Sequence, residues 1–482
     1  MRFRVINAFV VTFVMLCATV AYAQSQPSAE QLFESGRYDE AAELYAKQVK
    51  KSPNNGMANY YYGVCLYHQG KYNDCIQYLT KAVSRKVIKA GYYLGEAYIQ
   101  LYQFEDAVNA FADYEEIMNN NQREVTAEEL QRVAVAQLGV KMMRGVEQVQ
   151  VIDSILVDSL SFISYYKLSP QAGRIVDLST LPEPLCSDSG SIAYMPQREN
   201  VVYSSIYNED NYDLVSSNKL LESGWSEWHP LSDVLNTADN QCYPYMLSDG
   251  QTLYFAQDGE NSIGGLDIFV TLYSTELEDY MRPQNVGMPF NSLDNDFMMA
   301  IDETLDVGWF VTDRNHYPGV LTLYIFIPNA TKRVYQDCDP DTLISLARLS
   351  SIVDTWPDGA DYTQLLDAVA AIKYDDNSDN NSNIRFVLCN GMVYTHTSDF
   401  KNKDALRYYN QACVARNRIV ELQTELSEMR RLYYEGNDAV RSQLSDMILN
   451  RESQLLKMQS MPQLYESRAR RAELSFLNLL DE

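Results

Sequence analysis

The residues of this chain that could carry chemistry do not form a known catalytic pattern. Its four histidines are His68, His229, His316 and His396. None has a second metal-ligating residue at helical spacing, as the HExxH motif of zinc proteases requires. The sequence also lacks a serine-hydrolase nucleophile elbow, a phosphate-binding P-loop and a glycine-rich dinucleotide fingerprint. The sequence therefore predicts a protein that is not an enzyme and that holds neither metal nor cofactor.

Two acidic segments resemble calcium loops only in part. Residues 375–379 place side-chain oxygens at alternate positions, as an EF-hand loop does. However, Asn380 stands where that loop needs glycine, and Phe386 stands where it needs a bidentate glutamate. Residues 294–296 belong to a connector that occurs twice in the chain. We therefore expect a solvated linker at the first segment and a structural turn at the second.

The net charge limits the kind of partner. The chain has 65 acidic and 39 basic residues, and its formal net charge is −26. Such a field repels phosphate backbones and anionic lipid headgroups, so the sequence predicts no nucleic-acid partner.

The first 23 residues have the pattern of a cleaved export signal. Arg2 and Arg4 precede a short apolar run, which ends at the small-residue site Ala21-Tyr22-Ala23. A membrane anchor is the weaker alternative, because the run is short for a bilayer span. No later stretch is apolar enough to span a bilayer, so we expect an exported protein without direct membrane insertion.

A repeat of 34 and then 32 residues organises the first quarter of the chain. Segments 36–55, 70–86 and 102–118 align with one another. The coinciding positions are Tyr38, Tyr72 and Phe104, then Ala41, Cys75 and Ala107, then Tyr45, Leu79 and Phe111. Small residues at fixed positions let two helices approach closely, and the aromatic residues fill the space between them. This period predicts stacked helical hairpins.

Residues 27–120 resemble the tetratricopeptide repeat (TPR) family on these positions, and a capping helix is expected near 125–148. In that family the first helix of each repeat lines a concave groove that takes a peptide or a helix. Carried over by position, the expected partner-binding residues are Met57, Tyr60, Val64, Tyr67, His68, Lys89, Tyr92, Glu96, Ile99 and Gln100. The alternative is that the tyrosines only pack between repeats. Cys65 and Cys75 are expected to fill the core, with a disulfide as the second interpretation.

A longer repeat begins after residue 185. Tyr203, Tyr254 and Trp309 coincide at spacings of 51 and 55 residues, and Leu323 stands where Asp213 and Asp267 mark the first two copies. Each copy alternates apolar and polar residues between turn pairs, which predicts small antiparallel sheets. The connectors 235–240 and 290–295 repeat as well.

The central copy resembles the WD40-like PD40 repeat of periplasmic β-propellers. The resemblance rests on Ser248-Asp249-Gly250, Leu253-Tyr254-Phe255 and the run Gly264 to Phe269. Three copies are too few for a closed propeller, so strands are expected from 148–156 and from the hairpin 384–397. Two helices are expected within 341–373.

The last 80 residues are expected to be helical. Ile419, Leu422, Leu426, Met429 and Tyr433 step by three and four residues, which is the spacing of a coiled-coil seam. A break at 435–438 precedes a second seam that starts at Val440. The pattern predicts a helical hairpin, which packs on its own domain or offers its seam to a partner or a second copy.

The predicted fold class is therefore multidomain α + β. It comprises a signal peptide (1–23), a TPR α-solenoid (27–148), an antiparallel propeller-like domain (149–400) and a helical hairpin (401–482). This order is similar to periplasmic TPR–propeller proteins associated with type IX secretion and gliding, but their OmpA-like domain is not present in this sequence. The resemblance implies a periplasmic adaptor for protein partners of the periplasm or outer membrane. Glycan binding through Trp225, Trp228 and Tyr243 is the alternative, and an envelope hydrolase is a minor one.

Overall fold

The computed structural model describes most of the chain from residue 27 to residue 477. It leaves out 160–161, 183, 187–191, 222–223, 315–318, 371, 373–385, 390–391, 395–396, 436–437 and 460. The predicted signal peptide and the acidic segment 375–379 lie outside the described residues. The chain divides into two compact units after Arg144, and each is described by itself.

The N-terminal unit consists of short antiparallel helices. They are α1 (Ala29–Glu34), α2 (Tyr38–Lys51), α3 (Gly56–His68), α4 (Tyr72–Ser84), α5 (Ala90–Gln100), α6 (Phe104–Asn120) and α7 (Ala127–Met143). The turns after α1, α3 and α5 recur at equivalent positions. Gly36 and Gly70 have φ values of 73° and 72°, and Tyr102 takes the same left-handed conformation at 60°. The three aligned segments therefore form the second helix of each hairpin.

Glycines set the close approach of these helices. A Cβ atom at Gly63 would lie 2.8 Å from Leu79, and one at Gly95 would lie 2.7 Å from the Phe111 ring. The aromatic positions of the repeat therefore fill the space that the missing side chains leave. Cys65 and Cys75 are fully buried free thiols, and burial raises the pKa of each to about 12. They fill the core, as expected, and form no disulfide.

The second unit begins with three antiparallel sheets. Their strands are β1 (Gln150–Asp158), β2 (Arg174–Asp177), β3 (Ile192–Met195), β4 (Val201–Tyr207), β5 (Tyr212–Asn218), β6 (His229–Pro230), β7 (Gln241–Met246), β8 (Thr252–Gln257), β9 (Asp267–Ser274), β10 (Asp279–Tyr280), β11 (Gln284–Asn285), β12 (Asp296–Asp302), β13 (Val307–Thr312) and β14 (Val320–Ile327). The strand orders are β2-β3-β4-β5-β6, β10-β9-β8-β7 with β11 beside β9, and β1-β14-β13-β12. Each copy of the longer repeat is thus one sheet.

The aligned residues occupy matching strands. Tyr203, Tyr254 and Trp309 lie on β4, β8 and β13, the second strand of each copy. The early strand β1 completes the third sheet by pairing antiparallel with β14 along its length. The segment 148–156 therefore supplies a sheet edge, as expected from the sequence.

The hairpin 384–397 does not supply such an edge. Its strands β15 (Phe386–Cys389) and β16 (Met392–Tyr394) form a separate two-stranded sheet. Phe386 and Tyr394 are buried in a cluster with Phe400 and Tyr409 at the start of the C-terminal helices. The expectation was wrong because the apolar face of the hairpin is already covered by these helices.

The repeated connectors hold one sheet against the chain that leads to the next. The side chain of Asn236 accepts a hydrogen bond from the N–H of Leu214 and donates one to its carbonyl, at 2.8 and 3.0 Å. Asn291 makes the same pair of bonds to Ile268, at 2.8 and 2.9 Å. Asn295 donates from its backbone and its side chain to Asp313. Residues 294 and 295 thus belong to a structural connector, and Asp296 begins β12.

A buried ion pair lies at the start of the third sheet. The Arg314 guanidinium is 2.5 Å from the Asp296 carboxylate, and their side chains are 3 % and 0 % exposed. Arg314 also donates to the carbonyls of Pro289 and Phe290, at 3.1 and 2.8 Å. This arginine therefore joins the connector to the sheet that follows it.

Helices complete the second unit. They are α8 (Pro340–Arg348), α9 (Thr363–Ala370), α10 (Lys403–Glu435), α11 (Asp438–Gln459) and α12 (Met461–Phe476). Leu422 and Leu426 of the predicted seam are buried. The predicted hairpin is present, and its second leg consists of α11 and α12, which both pack along the long helix α10. In the part of the chain that the structure describes, none of the helices has the length and apolar character of a membrane span.

Candidate protein-binding face on the N-terminal helices

The residues expected to line a groove lie on α3 and α5 or directly beside them. Met57, His68 and Lys89 are exposed; Tyr60, Tyr67, Tyr92 and Gln100 are half-buried; Val64, Glu96 and Ile99 are buried. Val64 and Ile99 are 0 % exposed, which corrects their place in the predicted lining. Their side chains serve the core, because each lies on the side of its helix that turns inward. The other residues with exposed surface form the candidate face.

A cleft opens at one end of this face, between the start of α3 and the loop before α5. It has a volume of about 550 Å³, and Met57, Tyr60 and Lys89 line it. The remaining side of the cleft is formed by residues 85–88. Sequence reasoning missed this loop because helix periodicity says nothing about the residues between helices. Their basic and apolar composition, Arg85-Lys86-Val87-Ile88, was the available signal.

Aromatic side chains connect the two helices across the face. Tyr93 lies 6.1 Å from Tyr60 and 5.7 Å from Tyr67, measured between ring centroids. The His68 ring stacks on Tyr38 at 3.9 Å, and burial lowers the pKa of His68. The alternative that the tyrosines pack between repeats therefore describes part of their role. Tyr60 and Tyr67 pack on neighbouring rings while each keeps some exposed surface.

Two acidic residues beneath the face are paired with cations. The Arg132 guanidinium donates two hydrogen bonds to the Glu96 carboxylate, at 2.8 and 3.1 Å. Lys89 forms an ion pair with Glu129, which also accepts a 2.8 Å hydrogen bond from the Tyr114 hydroxyl. Helix α7 thus lies beside α5, in the position that the first helix of a further repeat would take. The sequence signal for it was the capping box, in which Thr126 and Glu129 bond each other's backbone N–H.

Glu129 makes the N-terminal unit sensitive to acid. Burial favours its neutral form, but the hydrogen bonds from Lys89, the Thr126 N–H and Tyr114 outweigh burial and lower its pKa from 4.5 to about 2. Because the folded pKa is depressed, this stabilisation is fully present above pH 4.5 and is lost as the pH falls towards 2. We expect Glu129→Gln to cost about 1–3 kcal/mol at pH 7.

The measurement is urea unfolding followed by far-UV circular dichroism between pH 2.5 and 7. The difference in unfolding free energy between wild type and Glu129→Gln should shrink below pH 4.5. Glu128→Gln, at an exposed position one residue earlier, is the control and should change little. A difference that stays constant with pH would contradict this assignment.

The three aromatic residues considered for glycan binding do not all lie in one cluster. Trp225 and Trp228 pack against a buried cluster around Leu178 and Val202. Tyr243 stacks on Phe297 at 4.8 Å in another cluster. The two tryptophans and Tyr243 therefore pack on two different cores. Among the described residues there is no group of three or more histidine, cysteine, aspartate or glutamate side chains able to hold a metal ion.

Comparison with known proteins supports the helical repeat. Residues 29–114 match the family model described as anaphase-promoting complex, cyclosome, subunit 3. No curated protein matches the chain. The match and the helical hairpins together define residues 29–114 as a TPR-like region.

The class of protein follows from this region and from the fold of the second unit. The chain contains an N-terminal TPR-like region, then a central antiparallel-sheet domain and C-terminal helices. Such a repeat region indicates a scaffold for protein–protein interaction with protein partners.

Proposed function

We propose that this protein is a non-catalytic adaptor that holds a protein partner on the face formed by α3, α5 and the loop before α5. The observation that carries the proposal is the cleft beside Met57. Its walls combine an exposed methionine, a half-buried tyrosine and basic residues on one TPR-like region. Exposed apolar surface next to polar groups is typical of peptide-binding grooves.

The chemistry of the cleft defines the partner segment. Arg85 and Lys86 are exposed at its edge, and Met57 and Val87 offer apolar contact. A short segment with acidic and apolar side chains complements both features. Methionine adapts its shape to different partners, so the cleft accepts a motif more readily than one rigid surface.

The location and the system served are also part of the proposal. The pattern of residues 1–23 favours export to the periplasm of a Gram-negative envelope, where the partner is a periplasmic or outer-membrane protein. The order of modules favours a link to outer-membrane secretion machinery.

We further propose that the three sheets are blades of a small propeller-like domain related to PD40 repeats. Each copy of the repeat is one antiparallel sheet, and β1 adds an outer strand to the last of them. Strand β7 contacts β3, β4 and β5 of the first sheet, and β12 contacts β7, β8 and β9 of the second. This domain presents loops for a second partner.

Met57→Glu tests the binding face. Met57 is 48 % exposed, so the change should leave the fold intact while it places a negative charge in the cleft. With a photo-crosslinking amino acid at position 57 in the intact envelope, we expect one defined protein adduct. With the crosslinker at the half-buried neighbour Tyr60, Met57→Glu should reduce that adduct about tenfold.

Leu130 provides the matched control, because it is 50 % exposed on α7 and does not line the cleft. Leu130→Glu should leave the adduct at Tyr60 unchanged, and a crosslinker at Leu130 should not capture the same protein. Identical adducts at positions 57 and 130, or none at either, would argue against this face. The Tyr60→Ala/Tyr92→Ala pair is a weaker test, because Tyr92 also packs 5.8 Å from Tyr114.

A further inference from the structure

A second groove lies on the C-terminal helices, far along the chain from the TPR-like region. One stripe of α10 lines it: Lys403, Arg407, Asn410, Val414 and Arg418. These positions step by four, three, four and four residues, so they lie on one face of the helix. The stripe is about 22 Å long at 1.5 Å per residue. The groove has a volume of about 890 Å³.

The opposite wall is apolar and adaptable. Met458 lies near the end of α11, and Met461 and Tyr465 lie in the first turns of α12. All three are half-buried, as is Leu406 at the base of the groove. Val414 is 69 % exposed, although it lies in the middle of the stripe. This apolar surface is arranged in a line, as the contact face of an amphipathic helix would require.

The neighbouring face of α10 is already occupied by the protein itself. Ala405, Tyr409 and Ala412 are buried, and Tyr409 packs in a cluster with Phe386 and with Ala469 of α12. The groove stripe is offset from these residues by one or two positions. Helix α10 therefore has one face packed within the protein and one face open along four turns.

The charges that line the groove all have one sign. Lys403, Arg407 and Arg418 are its charged residues, and no carboxylate is among the described residues that line it. Asp404 lies 3.2 Å from Arg407 in a largely exposed pair, which holds the cation weakly. Glu425 lies 3.4 Å from Arg418 in a half-buried pair. In a chain with a net charge of −26, a groove whose described charged residues are all cations is a strong local exception.

We infer that this groove is a docking site for an acidic amphipathic helix of a partner protein. Its apolar residues would face Val414, Met458 and Met461, and its carboxylates would face Lys403 and Arg407. A four-turn helix matches the length of the stripe. The site goes beyond the TPR-like face and gives the adaptor a second partner surface.

The test uses the full chain and a synthetic helical peptide of about 18 residues, with leucines at helical spacing and glutamates elsewhere. Fluorescence anisotropy measures its affinity. The control peptides have the same composition in scrambled order, or lysine in place of glutamate. We expect binding of the acidic amphipathic peptide alone, weakened by raising the salt from 50 to 500 mM.

The groove variant is Arg407→Glu/Val414→Glu, which reverses one charge and adds another at exposed positions. It should weaken binding about tenfold or more. The matched control is Arg282→Glu/Leu449→Glu, which makes the same charge change at sites that are 82 % and 61 % exposed and lie outside the groove lining. It should bind like wild type. Val414→Gln alone, with no charge change, should weaken binding about threefold.

Several results would overturn the inference. They are equal binding of the scrambled peptide, no binding of the acidic peptide, and equal loss of binding in the control variant. Sedimentation tests the other possible occupant of the groove, which is a second copy of this chain. A wild-type dimer that Arg407→Glu/Val414→Glu dissociates would replace the partner helix with self-association.

Discussion

Arg314→Met is expected to lower the free energy of unfolding of the second unit by about 3–5 kcal/mol, because it leaves a buried carboxylate without its partner. The Asp296 side chain is 0 % exposed, and its remaining hydrogen bonds come from neutral groups such as the Ser292 N–H and hydroxyl. Methionine also loses the bonds that Arg314 donates to the carbonyls of Pro289 and Phe290. Both the sheet and its connector are therefore affected.

Tryptophan fluorescence during urea unfolding measures this effect selectively. All four tryptophans, Trp225, Trp228, Trp309 and Trp356, lie in the second unit, so they report on its unfolding and not on that of the repeats. The double variant Asp296→Asn/Arg314→Met should lose less unfolding free energy than Arg314→Met alone, because no buried charge remains. A loss below about 1 kcal/mol for Arg314→Met would contradict this role.

The loss of stability in the Arg314→Met variant should grow as the pH rises. Burial raises the pKa of Asp296 from 3.8 even when Arg314 opposes the change. Without the arginine the folded pKa rises further, so the contribution of this carboxyl group to the stability of the variant is greatest below pH 3.8 and is lost as the pH rises through the folded pKa. The double variant, which has no carboxyl group at position 296, should not show this dependence.

Phe111→Ala is expected to cost the N-terminal unit about 3–5 kcal/mol. The Phe111 ring is 0 % exposed and occupies the space that Gly95 leaves open between α5 and α6. Its removal leaves a cavity between two helices of one repeat. Hydrogen exchange read by mass spectrometry on peptides from 90–120 should accelerate about 100-fold or more.

Gly95→Ala is the paired measurement for this contact. In the wild type the new Cβ atom would lie 2.7 Å from the Phe111 ring, so the change should destabilise by about 1–3 kcal/mol. In the Phe111→Ala background the clash is absent, and alanine should instead add about 1 kcal/mol through its helix propensity. The same effect of Gly95→Ala in both backgrounds would show that the two residues are not coupled.

The repeats could be predicted from the sequence because each one uses the same residue types at the same positions. Tyr38, Tyr72 and Phe104 recur with small residues three positions later, since every helical hairpin needs the same close contact. For the same reason Tyr203, Tyr254 and Trp309 marked the second strand of each sheet. The hairpin at 384–397 was also visible, but its partner surface was not, because an apolar face does not specify what covers it.

The candidate face was predicted only in part. The exposed residues Met57 and Lys89 were predicted from their helical positions. Val64 and Ile99 were wrongly placed in the lining, because helical periodicity assigns residues to a face only to within about one residue in three or four. The cleft also needed the loop 85–88, whose position depends on how α4 and α5 pack.

The amino-acid sequence by itself determined the absence of a catalytic motif, the two repeat periods and the helical character of the C-terminal segment. These properties are local, because residue type and spacing express them without any knowledge of distant contacts. The tertiary structure alone decided that β1 pairs with β14, that Arg314 neutralises Asp296 and that a basic groove opens along α10. Each of these joins residues from different elements, and only packing brings such residues together.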